Sequence, residues 1–545
     1  MPDAVAIITS RRCDRTGKRR YERLSFDQLD RDSDVLAAGL RDMGVERGMR
    51  LVLMVRPGAD FISLVFAMLK AGIVLVLIDP GMGRKHLLKC LDDVQPDGFV
   101  ALPIVHALRV LMGRRFAKAR HHVTVGRRWF WGGATIRGLR DRGDGDFQPA
   151  TTGSDDPAAV IFTSGSTGPP KGVLYRHGNF DEQIRQIRRR YDIQPGEIDL
   201  AGFPLFGLFN AVMGVTTVVS DMDASHPARA DPIKIVQVIH DCGVTQAFGS
   251  PALWNVVGRY CEENDVHLPT LRQVLSAGAP VPPHVLRRMQ NAIAPGGQIH
   301  TPYGATEALP VASISAHDVL GRTAAAGNSG GGTCVGQKFS GIHWQVIRIE
   351  DGPLPGIDQA EPLPAGQIGE LIVRGPVVTT EYVTSAEANR LSKIADGATL
   401  WHRMGDVGYF DKDGRFWFCG RKAHRVLTPD GPMYTIPCEA IFNGHEHVFR
   451  SALVGVGPPG EQRPVIVVEP ESDADSLSPE ERRRLIDELR ELAGSYELTK
   501  PIVDILIHRS MPVDVRHNAK IIREQLAEWA GRKLAARSEW PVSAD

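Results

Sequence analysis

The sequence predicts an α/β protein: a large N-terminal domain of layered, mostly parallel sheets and helices, followed by a small, mobile α+β domain. Three observations carry the prediction. Short Val/Ile/Leu-rich runs alternate with helical patterns through the first 420 residues. At 545 residues the chain exceeds one ordinary core and corresponds to roughly three to four domain-sized units. Beyond Gly420 the rhythm changes to three strand-like runs around one strongly capped helix.

Along the chain, Ser25 and Gln28 form a capping box ahead of Leu29, Val35, Leu36 and Leu40 at helical spacing, and Gly44 supplies the stop. Strand-like runs follow at 50–55, 72–78, 158–162, 214–219 and 274–277. Residues 61–80 are long enough to imitate a membrane span, but Lys70 interrupts them and Ala71-Gly72 divides them into a short helix and a buried strand. The Gly-rich segment 321–336 is poor in apolar side chains and reads as a mobile surface loop. Residues 453–456, 464–468 and 502–507 read as strands, and Ser478, Pro479 and Glu481 open a helix between the last two. The domains are therefore drawn at 1–419 and 420–545.

Composition narrows the function classes. Lys plus Arg (64) balance Asp plus Glu (64), so the net field suggests neither a nucleic-acid nor a membrane partner. Seven scattered cysteines without a C-x-x-C argue against a disulfide framework or a zinc site and fit a reducing, cytoplasmic setting. The N-terminus has its apolar run before its charges, so no signal peptide and no transmembrane segment are expected. Residues 114–131 interleave six Arg/Lys with aromatics, a mixture that a nucleic-acid groove also uses. On a neutral chain a solvated helix and hairpin is expected there, with partner docking or membrane-surface contact as the remaining readings.

The strongest local signal is Val160-Ile-Phe-Thr163-Ser164-Gly165-Ser166-Thr167-Gly168-Pro-Pro-Lys171-Gly172. A β-branched run feeds a loop of glycines and hydroxyls with one Lys near its end. Glycines let backbone N–H groups approach phosphate oxygens, hydroxyls add donors, and the Lys adds a point charge. The spacing is not that of the P-loop, because Lys171 is followed by Gly172.

This loop resembles the phosphate loop of the adenylate-forming superfamily, which includes acyl-CoA synthetases, adenylation domains of peptide synthetases and luciferases. Four further segments match in order. Thr301-Pro-Tyr303-Gly304-Ala-Thr306-Glu307 resembles the Y-G-x-T-E segment, Gly405-Asp406 the ribose-binding G-D, and Gly420-Arg421 the hinge G-R. Pro512 with Lys520-Ile-Ile-Arg523 resembles the C-terminal segment whose Lys contacts the substrate carboxylate and α-phosphate. The resemblance implies ATP and Mg²⁺, with Lys520, Glu307 and Arg421 catalytic and Thr163 and Glu307 at the metal. It places Thr163, Ser164, Gly165, Ser166, Thr167, Gly168 and Lys171 on phosphates. Gly278, Ala279, Pro280, Thr301, Tyr303, Gly304, Thr306, Asp406 and Arg421 complete the nucleotide site. By position relative to these motifs, Phe203, Phe206, Gly207, Phe209 and Ser250 are candidate walls of the acyl pocket.

Departures from the superfamily point to the second half-reaction. Gly207 stands where many acyl-CoA synthetases have His, Met404 where Thr precedes G-D, Ala519 where Gly precedes the Lys, and Pro432-Met433 where CoA ligases carry Gly-aromatic. Pro removes a donor and fixes φ, which argues against a CoA step. The runs 171–177, 301–311, 416–426 and 516–520 resemble the β-lactone synthetases of bacterial long-chain olefin biosynthesis. That resemblance implies a long-chain 2-alkyl-3-hydroxy acid closed to a β-lactone with release of AMP and pyrophosphate, with His424, Arg425 or His517 as candidates to orient the hydroxyl or stabilise the leaving AMP. It also implies a complex with a β-lactone decarboxylase and a ketone reductase. A long-chain fatty-acyl-CoA or acyl-AMP ligase is the alternative.

Overall fold

The computed structural model describes residues 1–13, 19–141, 147–163, 168–203, 206–513 and 521–538. Two sheets share a layer of helices. The seven-stranded sheet runs from Ala134–Thr135 through His121–Thr124, Gly98–Ala101, Arg50–Met54, Val74–Leu77 and Pro157–Phe162 to Gly172–Arg176. Its strands are parallel except for the last pair, whose turn carries the phosphate loop.

The fourteen-stranded sheet has two halves. Val5–Cys13, Thr216–Val219, Ile198–Ala201, Gln246–Gly249, Gln273–Ser276 and Gln298–Ala305 are parallel neighbours. From there the order continues antiparallel through Ala308–Ser315, Thr333–Lys338, Phe416–Arg421, Thr399–Phe410, Gly369–Arg374 and His343–Ile347. The mostly parallel sheets expected from the sequence thus hold for one sheet and half of the other. The reason is local: after Ala305 the chain reverses within two residues, and a hairpin can pair only antiparallel.

The helices Phe26–Asp42 and Ala59–Lys70 fill the space between the sheets, burying Leu36, Leu40, Leu64 and Met68. The helices Pro232–Cys242, Pro251–Asn264 and Pro283–Ala292 cover the outer face of the large sheet, and Arg84–Val94 that of the small one. Both predicted capping boxes form. Ser25 Oγ accepts from the Gln28 amide at 3.2 Å while Gln28 returns to the Ser25 N–H at 2.9 Å, and Ser478 with Glu481 repeats the pattern. Residues 61–80 divide as expected into the Ala59–Lys70 helix and the Val74–Leu77 strand. No helix of the described residues is long and apolar enough to cross a membrane.

Two expectations fail. Segment 321–336 is not a loop but consecutive helical turns through Gly331 and then the Thr333–Lys338 strand. Its lack of large apolar residues fits close packing: Gly330 sits against Leu498 and Ile441, and the Tyr409 hydroxyl donates to the Gly331 carbonyl at 2.9 Å. Segment 114–131 forms no hairpin. It holds the 3₁₀ turn Gly113–Phe116 and the strand His121–Thr124, which pairs in parallel on both sides.

Near the C-terminus, Val448–Val456 and Arg463–Pro470 pair antiparallel and Asp504–Ile507 joins in parallel. Alternate side chains face opposite cores. Leu453, Ile466 and Ile505 pack under Thr435–Phe442 and Pro479–Gly494, whereas Val454, Val467 and Leu506 pack under Arg523–Ser538.

Candidate active site

The candidate residues gather where the parallel half of the large sheet turns antiparallel, at the C-terminal ends of its central strands, the usual ligand crevice of such sheets. Strand register does much of the positioning. Asp406 lies directly opposite Arg421 on neighbouring strands, so both side chains leave the same face. The Arg421 guanidinium meets the buried Asp406 carboxylate at 2.9 Å and also donates to the Met404 carbonyl at 3.1 Å. Asp406 raises the Arg421 pKa further above its ordinary value. On the other side of Asp406, the Tyr303 hydroxyl donates to its second oxygen. Burial and the adjacent carboxylate hold Tyr303 well above its ordinary pKa, so it remains a donor.

The hairpin linking Gln298–Ala305 to Ala308–Ser315 carries Thr306 and Glu307 at its tip. Gly304 permits the turn, because a Cβ there would come within 2.6 Å of the Ala308 carbonyl. The Thr306 carbonyl accepts from the Tyr175 hydroxyl at 2.6 Å, and the Glu307 carbonyl accepts from the Thr379 amide at 2.9 Å. The Glu307 carboxylate accepts a 2.6 Å hydrogen bond from Tyr382. Thr301 lies on the same hairpin, its hydroxyl 3.5 Å from the Ile314 carbonyl.

Thr163 and Lys171 pin the two ends of the phosphate loop together. The Thr163 amide donates to the Lys171 carbonyl at 3.0 Å, and the Lys171 amide donates to Thr163 Oγ1 at 3.1 Å. Gly168 takes a φ of 137°. Ser164, Gly165, Ser166 and Thr167 lie outside the described residues, as does Lys520 with His517 and Ala519. The Lys171 ammonium lies 5.3 Å from the centre of the Tyr382 ring and so faces the same side chain that holds Glu307. Gly278, Ala279 and Pro280 follow the Gln273–Ser276 strand, and Gly278 takes a φ of 99°. Leu275 pairs with His300, so this turn leaves the sheet level with Tyr303.

Sequence reasoning missed three residues here. Tyr382 is buried and donates to Glu307; Lys393 donates to the Thr379 carbonyl at 2.6 Å and lies 5.6 Å from the Tyr382 ring; His402 is buried opposite Lys393. Burial lowers Lys393 to about 8, offset in part by Glu307 and Glu381. Burial and the nearby cations Lys393, Lys171 and Arg421 keep His402 neutral, well below its ordinary pKa. A Lys-x₈-His spacing carries no motif, so only the fold shows these groups gathered beside Tyr382.

The acyl-pocket candidates divide. Phe206 stacks on Phe248 with ring centres 4.0 Å apart, Phe203 lies 6.3 Å from Phe248, and Phe209 lies 5.8 Å from Phe206, which makes one aromatic cluster. Gly207 does not face an open pocket, because a Cβ would meet the Thr217 methyl at 2.9 Å. Its helix is held by Asn210, which donates to the buried Asp199 at 2.8 Å. Ser250 caps the Pro251–Asn264 helix through a 3.3 Å bond from the Leu253 amide.

After the strand bearing Arg421 come the 3₁₀ turn Lys422–His424, the hairpin of Val426–Thr428 with Gly431–Met433 and the helix Thr435–Phe442, before the C-terminal sheet begins. Lys422 reaches back to Glu370 at 3.1 Å, which also holds Arg403 at 2.6 Å in a fully buried pair, and Arg425 binds Asp351 at 2.6 Å. His424 stands between these anchors, 3.6 Å from Glu524 and beyond hydrogen-bond reach. Arg523 lies three residues past Lys520. It forms a buried pair with Glu439, 2.9 Å at one contact, and donates to the Leu453 carbonyl at 3.0 Å.

A single Mg²⁺-type site suits these donors. Among the described residues no three His, Cys, Asp or Glu side chains converge on a metal position. Mg²⁺ commonly takes one carboxylate and completes its octahedron with water and phosphate oxygens. Glu307 supplies such a carboxylate, with one oxygen fixed by Tyr382.

The profile of the AMP-binding enzyme family matches residues 1–383. A protein named olefin beta-lactone synthetase from Xanthomonas campestris pv. campestris is 46% identical over 541 residues, covering 98% of this chain and 95% of that relative. A second of the same name, from Stenotrophomonas maltophilia, is 44% identical over 548 residues, covering 98% and 97%. The solved structure of ATP-bound MatB from Rhodopseudomonas palustris superposes with a TM-score of 0.77 at 19% identity, covering 97% of this chain and 96% of that one, a likeness of fold.

Proposed function

This chain belongs to the AMP-binding enzyme family, and we propose that it activates a long-chain 2-alkyl-3-hydroxy acid with ATP and closes the acyl-adenylate to a β-lactone. The observation that carries the reading is the pair of tyrosine-held carboxylates, Asp406 with Arg421 and Glu307 with Tyr382, in one crevice of a chain nearly half identical to two olefin beta-lactone synthetases.

In the first step a carboxylate oxygen of the acid attacks the α-phosphorus and pyrophosphate leaves. Attack brings two anions together, so the site must neutralise charge as it develops. Thr163 and Lys171 offer a hydroxyl and an ammonium to the phosphates, Asp406 accepts from the ribose hydroxyls, and the role proposed for Lys520 is to supply a positive charge to the substrate carboxylate. Glu307 and Thr163 would hold Mg²⁺, which supplies Lewis-acid stabilisation of the phosphate charge when bound.

In the second step the substrate's own β-hydroxyl attacks the acyl carbon, AMP leaves, and the hydroxyl proton passes to solvent or to the departing phosphate. An internal nucleophile has a high effective concentration and needs no second substrate. Pro432 sits in the short Gly431–Met433 strand opposite Leu427, a backbone that offers no N–H at that position. The chain is read as a body of 1–419 and a lid of 420–545 carrying Lys520, with a β-lactone decarboxylase and a ketone reductase as pathway partners. Cys90, Cys242, Cys261, Cys334, Cys419 and Cys438 are free and buried, in keeping with a reducing cytoplasm.

The test is product analysis by NMR after incubation with the 2-alkyl-3-hydroxy acid, ATP and Mg²⁺, with and without CoA. A β-lactone in both samples is expected; acyl-CoA without lactone would establish the acyl-CoA ligase alternative. A Lys520→Ala variant that released pyrophosphate at the wild-type rate would remove that residue from the mechanism.

A further inference from the structure

At the edge of the seven-stranded sheet farthest from Thr163 and Lys171, an apolar and cationic surface stands out. Of thirteen exposed large apolar side chains among the described residues, six fall between Ile104 and Phe130. Ile104, Leu108 and Leu111 recur at i, i+4 and i+7 on the Pro103–Leu111 helix and form a stripe on its solvent side, Leu111 being 79% exposed. The helix turns only His106 and Ala107 fully inward.

Trp131 ties the neighbouring loop to this helix. Its ring stacks on His106 at 5.7 Å and its indole N–H donates to Thr124 at 2.9 Å, so it is buried. Trp129 and Phe130 pack on it at 5.3 and 5.1 Å yet stay 52% and 70% exposed. Two aromatic rings are thus held outward beside an apolar helical stripe.

The segment's own charge has one sign. From Gly98 to Arg140 the chain holds nine Arg and Lys and no Asp or Glu, within a protein of net charge zero. Arg115 and Lys118 are paired to Asp92 and Asp97, but exposed Arg120, Arg127 and Arg128 form no ion pair among the described residues. An exposed apolar helical stripe, two exposed aromatic rings and three arginines of the same segment without ion pairs match an interfacial amphipathic anchor, and their charge complements anionic headgroups.

We propose that this surface docks the protein on an anionic lipid bilayer, with Leu111, Trp129 and Phe130 inserted at the headgroup boundary and Arg120, Arg127 and Arg128 on lipid phosphates. The inference stands on the surface alone and is independent of the acid the enzyme activates. Vesicle sedimentation of the full chain tests it, with phosphatidylcholine vesicles containing or lacking phosphatidylglycerol. Binding to the anionic vesicles that weakens at high salt is expected. L111S/F130S and R127E/R128E variants should each lose at least about ten-fold in partitioning while keeping the wild-type melting temperature and pyrophosphate release. Wild-type protein that ignores anionic vesicles, or variants that partition like the wild type, would overturn the proposal. An acidic protein captured on this face in place of lipid would do the same.

Discussion

Two carboxylates in the crevice each accept a hydrogen bond from a tyrosine, and there their likeness ends. Asp406 is buried, with Tyr303 on one oxygen and Arg421 at 2.9 Å on the other. Glu307 has one oxygen fixed by Tyr382 at 2.6 Å, and its nearby cations, Lys171 and Lys393, lie over the Tyr382 ring. The first arrangement immobilises a charge as a fixed acceptor. The second orients a carboxylate while leaving capacity for a hard cation. One sequence pattern, an acid near glycines, therefore serves two physical purposes, and the partners decide which.

That contrast can be broken by mutation. Glu307→Gln should have the largest effect: pyrophosphate release falls by roughly 10²- to 10⁴-fold, and raised Mg²⁺ recovers part of it. Asp406→Asn should instead raise the KM for ATP, with no Mg²⁺ rescue. Equal Mg²⁺ responses in the two variants would erase the distinction. Asp406→Asn should also lower stability by about 2–3 kcal/mol, read by denaturant unfolding, because it leaves the Arg421 guanidinium half-buried without its partner.

Tyr382→Phe separates orientation from charge. It removes the bond to Glu307 but not the carboxylate, so a loss of about 1.5–3 kcal/mol in transition-state stabilisation is expected, together with a higher Mg²⁺ requirement in titrations of pyrophosphate release. A separate effect belongs to pH. Burial, reinforced by Arg523 and Arg421, holds His424 at about 3 against an ordinary 6.5. The unfolded chain takes up that proton below about 6.5 while the folded chain does not, so stability falls as pH drops from there toward 3. A His424→Gln variant should show a shallower loss of denaturation midpoint over that range.

What the sequence made legible was local. Ser25 with Gln28 and Ser478 with Glu481 announce their helices because a capping box is closed within four residues. Glu307, Asp406 and Arg421 were legible because each sits in a short motif. Tyr382, Lys393 and His402 were not, since they come together behind Glu307's partner Tyr382 only after the chain segment beyond Gly375 crosses between the two sheets, where Val173 bridges to Tyr382 and Ala308 to Val378. Segment 321–336 misled for the same reason: its glycines fit against Leu498 and Ile441, neighbours more than a hundred residues away. The buried partner of Arg523 was not legible either, because Glu439 lies 84 residues earlier in the chain.

Oxygen tracing tests the central claim, that the carboxyl and not the hydroxyl is activated. With the 3-hydroxy acid labelled by ¹⁸O in both carboxyl oxygens, adenylation followed by ring closure places one label in AMP and leaves one in the lactone carbonyl. Unlabelled AMP with both labels retained in the lactone would contradict the account, because the hydroxyl would then have been the group activated.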